Sequence, residues 1–488
     1  MKSAKLLAID IGASGGKAVL GEFSGTRLET RELRRFPNGM VDLHGHKHWP
    51  VLRLFEEVKE CLRAAGPDLA GAAIDTWGVD YGYVSADGDL LGAPFAYRDG
   101  RTVAAVERVH AALPHEKLYG ANGLQFMPFN TVYQVADDLA SRPWLVERAD
   151  RLLLMPDLLA WMLTGRAAAE YTIASTTGLL DARSRAWSTD ILNAVGFPAE
   201  RLPEVSEPGK LRAKLSAGVG RETGSRAEIV WPAGHDTGSA VAAVPASGDD
   251  WAFLSSGTWF LVGAEVPSPI LSAEARARNF TNEGGVSGTV RFLKNVTGLW
   301  ILEELRRGWS RSGQELDWTT IALESQRAPA FAALINPDDP AFAAPADMAA
   351  TIRDFCRRTG QAAPEGVGAM ARCVFESLAL ACRRTLGHLG TLSGKTIRKL
   401  HVVGGGCRNE LLCAMVAGAC RLPVHAGPAE ATAAGNLLVQ AMGLGLVKDL
   451  AEGRRLVAAS TRMREHLPTQ ADAGAWDEAA GRFERLCS

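Results

Sequence analysis

Charge of neither sign is in excess in this chain of 488 residues: 53 Lys and Arg stand against 55 Asp and Glu, a formal net charge of −2. That near-balance gives no support to a general attraction for nucleic acid. Long apolar runs are scarce too. The first, at residues 6–9, is cut by Asp10, too early for the core of a secretion signal. The most apolar later stretch, residues 431–447, carries Thr432, Asn436 and Gln440, where a membrane span wants roughly 20 predominantly apolar residues. It reads as a buried helix. Cysteine is sparse, eight in the chain and never as C-x-x-C, so neither a disulfide framework nor a zinc motif is expected. Cys407, Cys413 and Cys420 fall near helical spacing beside a turn, as interior thiols do. The expected class is a reduced, soluble enzyme of the cytoplasm with no nucleic-acid and no membrane partner. Two nucleotide signatures are missing as well. A Walker loop ending at Lys17 would need glycine at Ile11 and Ser or Thr at Ala18. No G-x-G-x-x-G opens a helix after the first strand.

What is present is an ordinary globular composition, 47% hydrophobic and 22% charged, in a chain longer than one core usually organises. Two domains are expected, residues 1–245 and 246–488, joined at the polar, turn-rich stretch 245–250. Each half opens alike. Residues 5–20 read as apolar strand, glycine turn and apolar strand, and residues 251–263 repeat that pattern. The recurrence suggests an internal duplication. A buried strand is expected within residues 69–78. Met370, Val374, Leu378, Cys382, Leu386 and Leu389 mark one face of a helix. It leads to a strand at 399–403 that breaks into three glycines, and a mostly polar helix is expected at 472–486. The alternation gives an α/β class with mixed sheets.

Phosphates are bound by backbone N–H groups at close range, which glycine permits. Three loops offer this: residues 12–17, 255–258 and 404–406. One alone is weak; the three in this order resemble the two phosphate loops and the adenosine loop of actin-like ATPases. Asp10 ends a buried strand, where an unpaired carboxylate is costly. It serves either a metal- or phosphate-bound water network or its own turn. Gly234-His-Asp236-Thr-Gly238 sets a carboxylate in a small-residue loop, fit to take a proton from an alcohol during phosphoryl transfer. The plainer reading of Asp236 is a cap for the helix that follows. His235 either shapes the pocket or is structural.

Many ordered segments together resemble the FGGY carbohydrate kinase family. They include Asp10-Ile-Gly-Ala-Ser-Gly-Gly-Lys17, Ile74-Asp-Thr-Trp-Gly-Val-Asp80, Tyr97-Arg-Asp-Gly-Arg-Thr102, Leu254-Ser-Ser-Gly-Thr-Trp259, Thr281-Asn-Glu-Gly-Gly285 and Val402-Val-Gly-Gly-Gly-Cys407. The resemblance runs from about residue 5 to about residue 440. It implies a two-domain actin-like ATPase (ribonuclease H-like) fold with a cleft between the domains. It also implies an ATP- and Mg2+-dependent kinase acting on the primary hydroxyl of a small ketose. L-rhamnulose stands ahead of L-fuculose, L-ribulose, xylulose or a polyol, and a non-catalytic sugar or nucleotide sensor is the rival of another class. Carried over by residue, Asp236 corresponds to the proton acceptor. Gly78, His235, Thr237 and Asn295 match sugar contacts, and Trp77 does so or packs in the core. Ala13, Ser14, Gly15, Gly16, Lys17, Thr258, Gly404 and Gly405 match nucleotide contacts, with Asp10 near the magnesium through water. Asp80, Asp99 and Arg101 resemble sugar-side loop residues. A homodimer is the family's common assembly. Gly15 and Lys17 replace the usual Ser and Arg, and Glu303 stands where a nucleotide-contacting glutamine is expected.

Overall fold

The computed structural model describes residues 4–343 and 345–487. They divide into two compact units that share the chain unevenly. The first takes residues 1–247, 265–292 and 431–461; the second takes 248–264, 293–430 and 462–488. The expected boundary after residue 245 lies two residues from the first passage between units. Two later segments nevertheless return to the first unit, which a single cut does not describe.

The first unit is built on a six-stranded sheet whose order is Arg212–Lys214, Glu228–Val230, Gly71–Thr76, Ala4–Gly12, Gly15–Phe23 and Leu28–Pro37. Ala4–Gly12 and Gly15–Phe23 form the expected hairpin, and Gly71–Thr76 lies parallel on the hairpin's other side with Asp75 opposite Asp10. The apolar run at its start follows from burial on both faces. Leu7, Ile9 and Ile11 pack with Val58 and Leu62 of the helix Val51–Ala65. Leu6 and Ala8 point the other way, to Leu437, Leu438 and Ala441 of the helix Ala431–Gly443. The stretch read as a buried helix is therefore one layer of the first unit.

The second unit repeats the plan. Trp251–Ser256 pairs antiparallel with Trp259–Val266 and parallel with Lys399–Val403, and the sheet continues through Val424–Ala426 to Arg464–His466. The helix Gly366–Ser393 ends at Gly394, whose left-handed φ of 68° closes it. The helices Glu410–Cys420 and Ala473–Leu486 pack so closely that a Cβ at Gly418 would lie 2.7 Å from the Trp476 indole nitrogen. Among the described residues no helix is long and apolar enough to cross a membrane. All eight cysteines are free thiols.

Candidate active site

In the first unit the site begins with two adjacent strand ends. Asp10 and Lys17 face each other across the hairpin, and Lys17 Nζ stands 3.1 Å from Asp10 Oδ2. The turn Ala13–Ser14 joins the strands, with Ser14 exposed and Gly16 buried. It is held at its back by Asn38, whose Nδ2 donates to Gly12 O at 2.9 Å. On the next strand Asp75 is fully buried. Burial, then the nearby charge of Asp10, then that of Asp236, push its carboxyl well above the usual range, while the Asn436 amide opposes them with a 2.5 Å hydrogen bond to Oδ2.

Asp236 arrives beside this pair because the chain at 234–235 runs along the Gly71–Thr76 strand. Thr76 N donates to Gly234 O at 2.9 Å, and Thr76 bridges His235 in parallel. Asp236 then opens the helix Asp236–Ala242. Its Oδ1 accepts from Thr237 N at 2.6 Å and from Thr237 Oγ1 at 3.2 Å, and His235 Nε2 stands 3.4 Å away. The side chain keeps 31% of its surface exposed.

The loop carrying Asp236 is fixed from behind. Glu170, wholly buried, accepts from Gly234 N at 2.8 Å, Thr172 N at 2.8 Å, Thr172 Oγ1 at 2.6 Å and Ile173 N at 3.1 Å. Thr172 Oγ1 in turn accepts from His235 N at 3.2 Å. Burial raises the Glu170 carboxyl to about 7 against those hydrogen bonds. On the ring side of His235, Arg291 Nη2 lies 3.1 Å from Nδ1 and Glu283 Oε2 lies 3.3 Å from it. Arg291 has no exposed side-chain surface and also donates from Nε to Gly284 O at 2.7 Å.

Gly78 sits in a tight loop in the same unit, where a Cβ would meet the Thr176 hydroxyl at 3.0 Å. The following residue, Val79, has φ 69°, an unusual conformation for a β-branched side chain. The loop is tied down on both sides: Thr131 Oγ1 donates to Val79 O at 2.6 Å, and Val79 N donates to Thr176 Oγ1 at 3.1 Å. Trp77 is 7% exposed, its ring centroid 4.1 Å from that of Trp49. Both indoles donate to Asp80 Oδ2, at 2.9 and 2.6 Å. Burial lifts Asp80 to about 6 although Trp49, Gln134, Trp77 and the Tyr97 amide donate to it. Asp99 and Arg101 are tied into the scaffold: Asp99 accepts from Lys47 N and Arg101 N, and Arg101 pairs with Asp137 and Asp138.

The second unit gathers the other glycine loops. Ser255 lies opposite Val403 on parallel strands, so the turns that follow them, one carrying Thr258 and one carrying Gly404 and Gly405, are neighbours. A Cβ at Gly406 would overlap the Ser256 hydroxyl, whereas one at Gly405 would meet nothing within 4 Å. Thr258 O accepts from Gly298 N at 3.1 Å and from Trp300 N at 3.3 Å. Asn295 lies on the strand Val290–Thr297, in this unit. Glu303 lies in the first turn of the helix Trp300–Arg311, its carboxyl raised by burial and held down by Arg307 and Arg306.

Sequence reasoning missed Asp75, Glu170, Thr172, Glu283, Arg291 and Asn436 as site residues. Asp75 lies two residues before Trp77, and its carboxylate in an apolar strand was the available signal. The others reach the site across long stretches of chain. As to a metal, among the described residues no three His, Cys, Asp or Glu side chains form a cage. The carboxylates present would suit a divalent cation held through water, since a cation would offset the crowding of Asp10, Asp75 and Asp236.

Residues 5–243 match the N-terminal domain of the FGGY family of carbohydrate kinases and residues 252–444 its C-terminal domain. A rhamnulokinase of Bacteroides thetaiotaomicron is 43% identical over 481 residues, 98% of each chain. One of Bacillus subtilis is 35% identical over 469 residues, covering 95% of this chain and 96% of that one. Among solved structures, a xylulose kinase of Lactobacillus acidophilus superposes with a TM-score of 0.81 at 15% identity, over 99% of this chain and 97% of that one.

Proposed function

This chain belongs to the FGGY family of carbohydrate kinases, and we propose that it transfers the terminal phosphate of ATP to the primary hydroxyl of L-rhamnulose, giving L-rhamnulose 1-phosphate. The observation that carries the chemistry is Asp236: one carboxylate oxygen is held by Thr237 while the side chain opens to solvent. A base must be fixed in place and still reachable, and that side chain is both.

In this reading Asp236 accepts the C1 hydroxyl proton as that oxygen attacks the γ-phosphorus. Gly78, Trp77, His235, Thr237 and Asn295 position the sugar. The turn of Ala13, Ser14, Gly15, Gly16 and Lys17 meets the phosphates, and Thr258, Gly404 and Gly405 meet the rest of the nucleotide. Asp10 would hold magnesium through water, and the ion when bound would supply charge neutralisation at the phosphoryl oxygens. Positioning and electrostatics account for most of the rate in such transfers. The cytoplasm is the compartment this reading expects.

The test is a coupled ADP assay over L-rhamnulose, L-fuculose, L-ribulose and xylulose. L-rhamnulose should give the highest kcat/KM; a higher value for another ketose overturns the substrate. A single methyl contact is worth about 1–3 kcal/mol, so a lead of roughly tenfold or more is expected. Asp236→Asn should fold and bind sugar yet lose kcat by about 10²- to 10⁴-fold. Near-normal turnover in that variant removes Asp236 as the base.

A further inference from the structure

His235 presents one ring nitrogen to Asp236 and the other to Arg291, and the two contacts are not independent. A guanidinium carries only donors and stays protonated throughout the working range. Its Nη2, 3.1 Å from His235 Nδ1, therefore requires a lone pair on Nδ1. In a neutral imidazole the single proton must then sit on Nε2, which faces Asp236 Oδ1 at 3.4 Å. From this geometry we infer that Arg291 is a positioning residue for phosphoryl transfer: it holds neutral His235 in the Nε2–H tautomer, so that the ring donates toward Asp236. The inference rests on Asp236 acting as the base.

The consequence for the reaction is a single proton acceptor. With the proton on Nδ1, the Nε2 lone pair would face the carboxylate, repel it and compete for the sugar proton. With the proton on Nε2, the ring steadies Oδ1 and leaves Oδ2 to take the hydroxyl proton. The arrangement is built for this purpose at some cost. Arg291 has no exposed surface, and its charge is balanced by Glu283, whose Oε2 stands 3.2 Å from Nη1. Glu283 Oε2 is also 3.3 Å from His235 Nδ1, so without Arg291 that carboxylate would draw the proton to Nδ1 and reverse the ring's polarity. Two further features point the same way. Arg291 Nε is pinned to Gly284 O, which fixes the plane of the guanidinium. The His235 backbone is pinned by Thr172, which fixes the point from which the ring projects.

The decisive measurement is the tautomer in the intact enzyme. Nitrogen-15 shifts of histidine-labelled protein at pH 7.5, with the His235 signals identified by their loss in His235→Gln, should show Nε2 protonated and Nδ1 bare. A proton on Nδ1, or an imidazolium carrying both, overturns the inference, and this result needs no variant to fold. The second measurement uses Arg291→Leu combined with Glu283→Gln, which removes both buried charges together, compared with Glu283→Gln alone. The double variant should lose the fixed tautomer and drop kcat by about tenfold or more, with KM for ATP within twofold of Glu283→Gln. Loss of thermal stability with both the tautomer and kcat retained would mark Arg291 as structural only. If the unmodified enzyme has the expected tautomer but phosphorylates no ketose, the proposed function fails and the assignment of the ring proton stands.

Discussion

Glu170 accepts four hydrogen bonds and is almost entirely buried, so every donor that points at it depends on its two oxygens. An amide at this position has only one acceptor oxygen, and its NH2 must face either the Thr172 N–H or the cluster made by Gly234, Thr172 Oγ1 and Ile173. Glu170→Gln should therefore lose about 1–3 kcal/mol of stability, seen as a lower urea midpoint with unchanged slope. Because Gly234 lies two residues before Asp236, kcat should fall as well. An unaltered midpoint would show that these contacts bring no net stabilisation. How much of the site the sequence reveals also divides at this scale. Asp10 and Asp236 are legible because each is a carboxylate set against small residues in a local pattern. Arg291 and Asn436 are not: one reaches its partner across 56 residues and the other across 361, and nothing local marks either as part of a site.

At the scale of elements, the two hairpins were readable from alternation of apolar strands and glycine turns, and the helix Gly366–Ser393 from its spacing. The sheet order was not readable, because it depends on which distant strand lies beside each hairpin. Those neighbours, Gly71–Thr76 and Lys399–Val403, both run parallel to the first hairpin strand. In each case the parallel strand brings candidate site residues beside the hairpin's turn. The second unit's turns make this testable with two adjacent glycines. Gly406 is packed against Ser256, so Gly406→Ala should displace the turn and destabilise the protein. Gly405 faces open space and has no left-handed backbone requirement, so Gly405→Ala should leave stability within about 0.5 kcal/mol of the parent. If nucleotide approaches there, KM for ATP rises several-fold in Gly405→Ala while KM for sugar holds. An unchanged KM for ATP would remove Gly405 from the nucleotide contacts.

For the whole molecule, buried carboxyls couple folding to pH. Burial lifts Asp80 to about 6 and Glu170 to about 7, above the ordinary carboxylate range. Between about pH 4 and those values the folded chain holds protons that the unfolded chain has released. These groups therefore add stability in acid, and that contribution is lost as pH rises through 6 and 7. His110, His115 and His466 pull in the opposite sense, since burial lowers their basicity and acid favours the unfolded, protonated form. A difference measurement separates the two. Asp80→Asn cannot ionise, so its stability deficit relative to the parent should shrink between pH 5 and pH 8 in urea titrations. A deficit that stays constant over that range would mean Asp80 is ionised throughout.

The chain passes between its units at residues 247, 264, 292, 430 and 461. During synthesis, the first sheet therefore waits for partners made near the end. Gln440 donates to Leu7 O at 3.0 Å, and Asn436 seals Asp75, so neither contact exists until most of the polypeptide has left the ribosome. A nascent chain halted at residue 430 should remain open to protease across its amino-terminal hairpin, and extension past residue 461 should protect it.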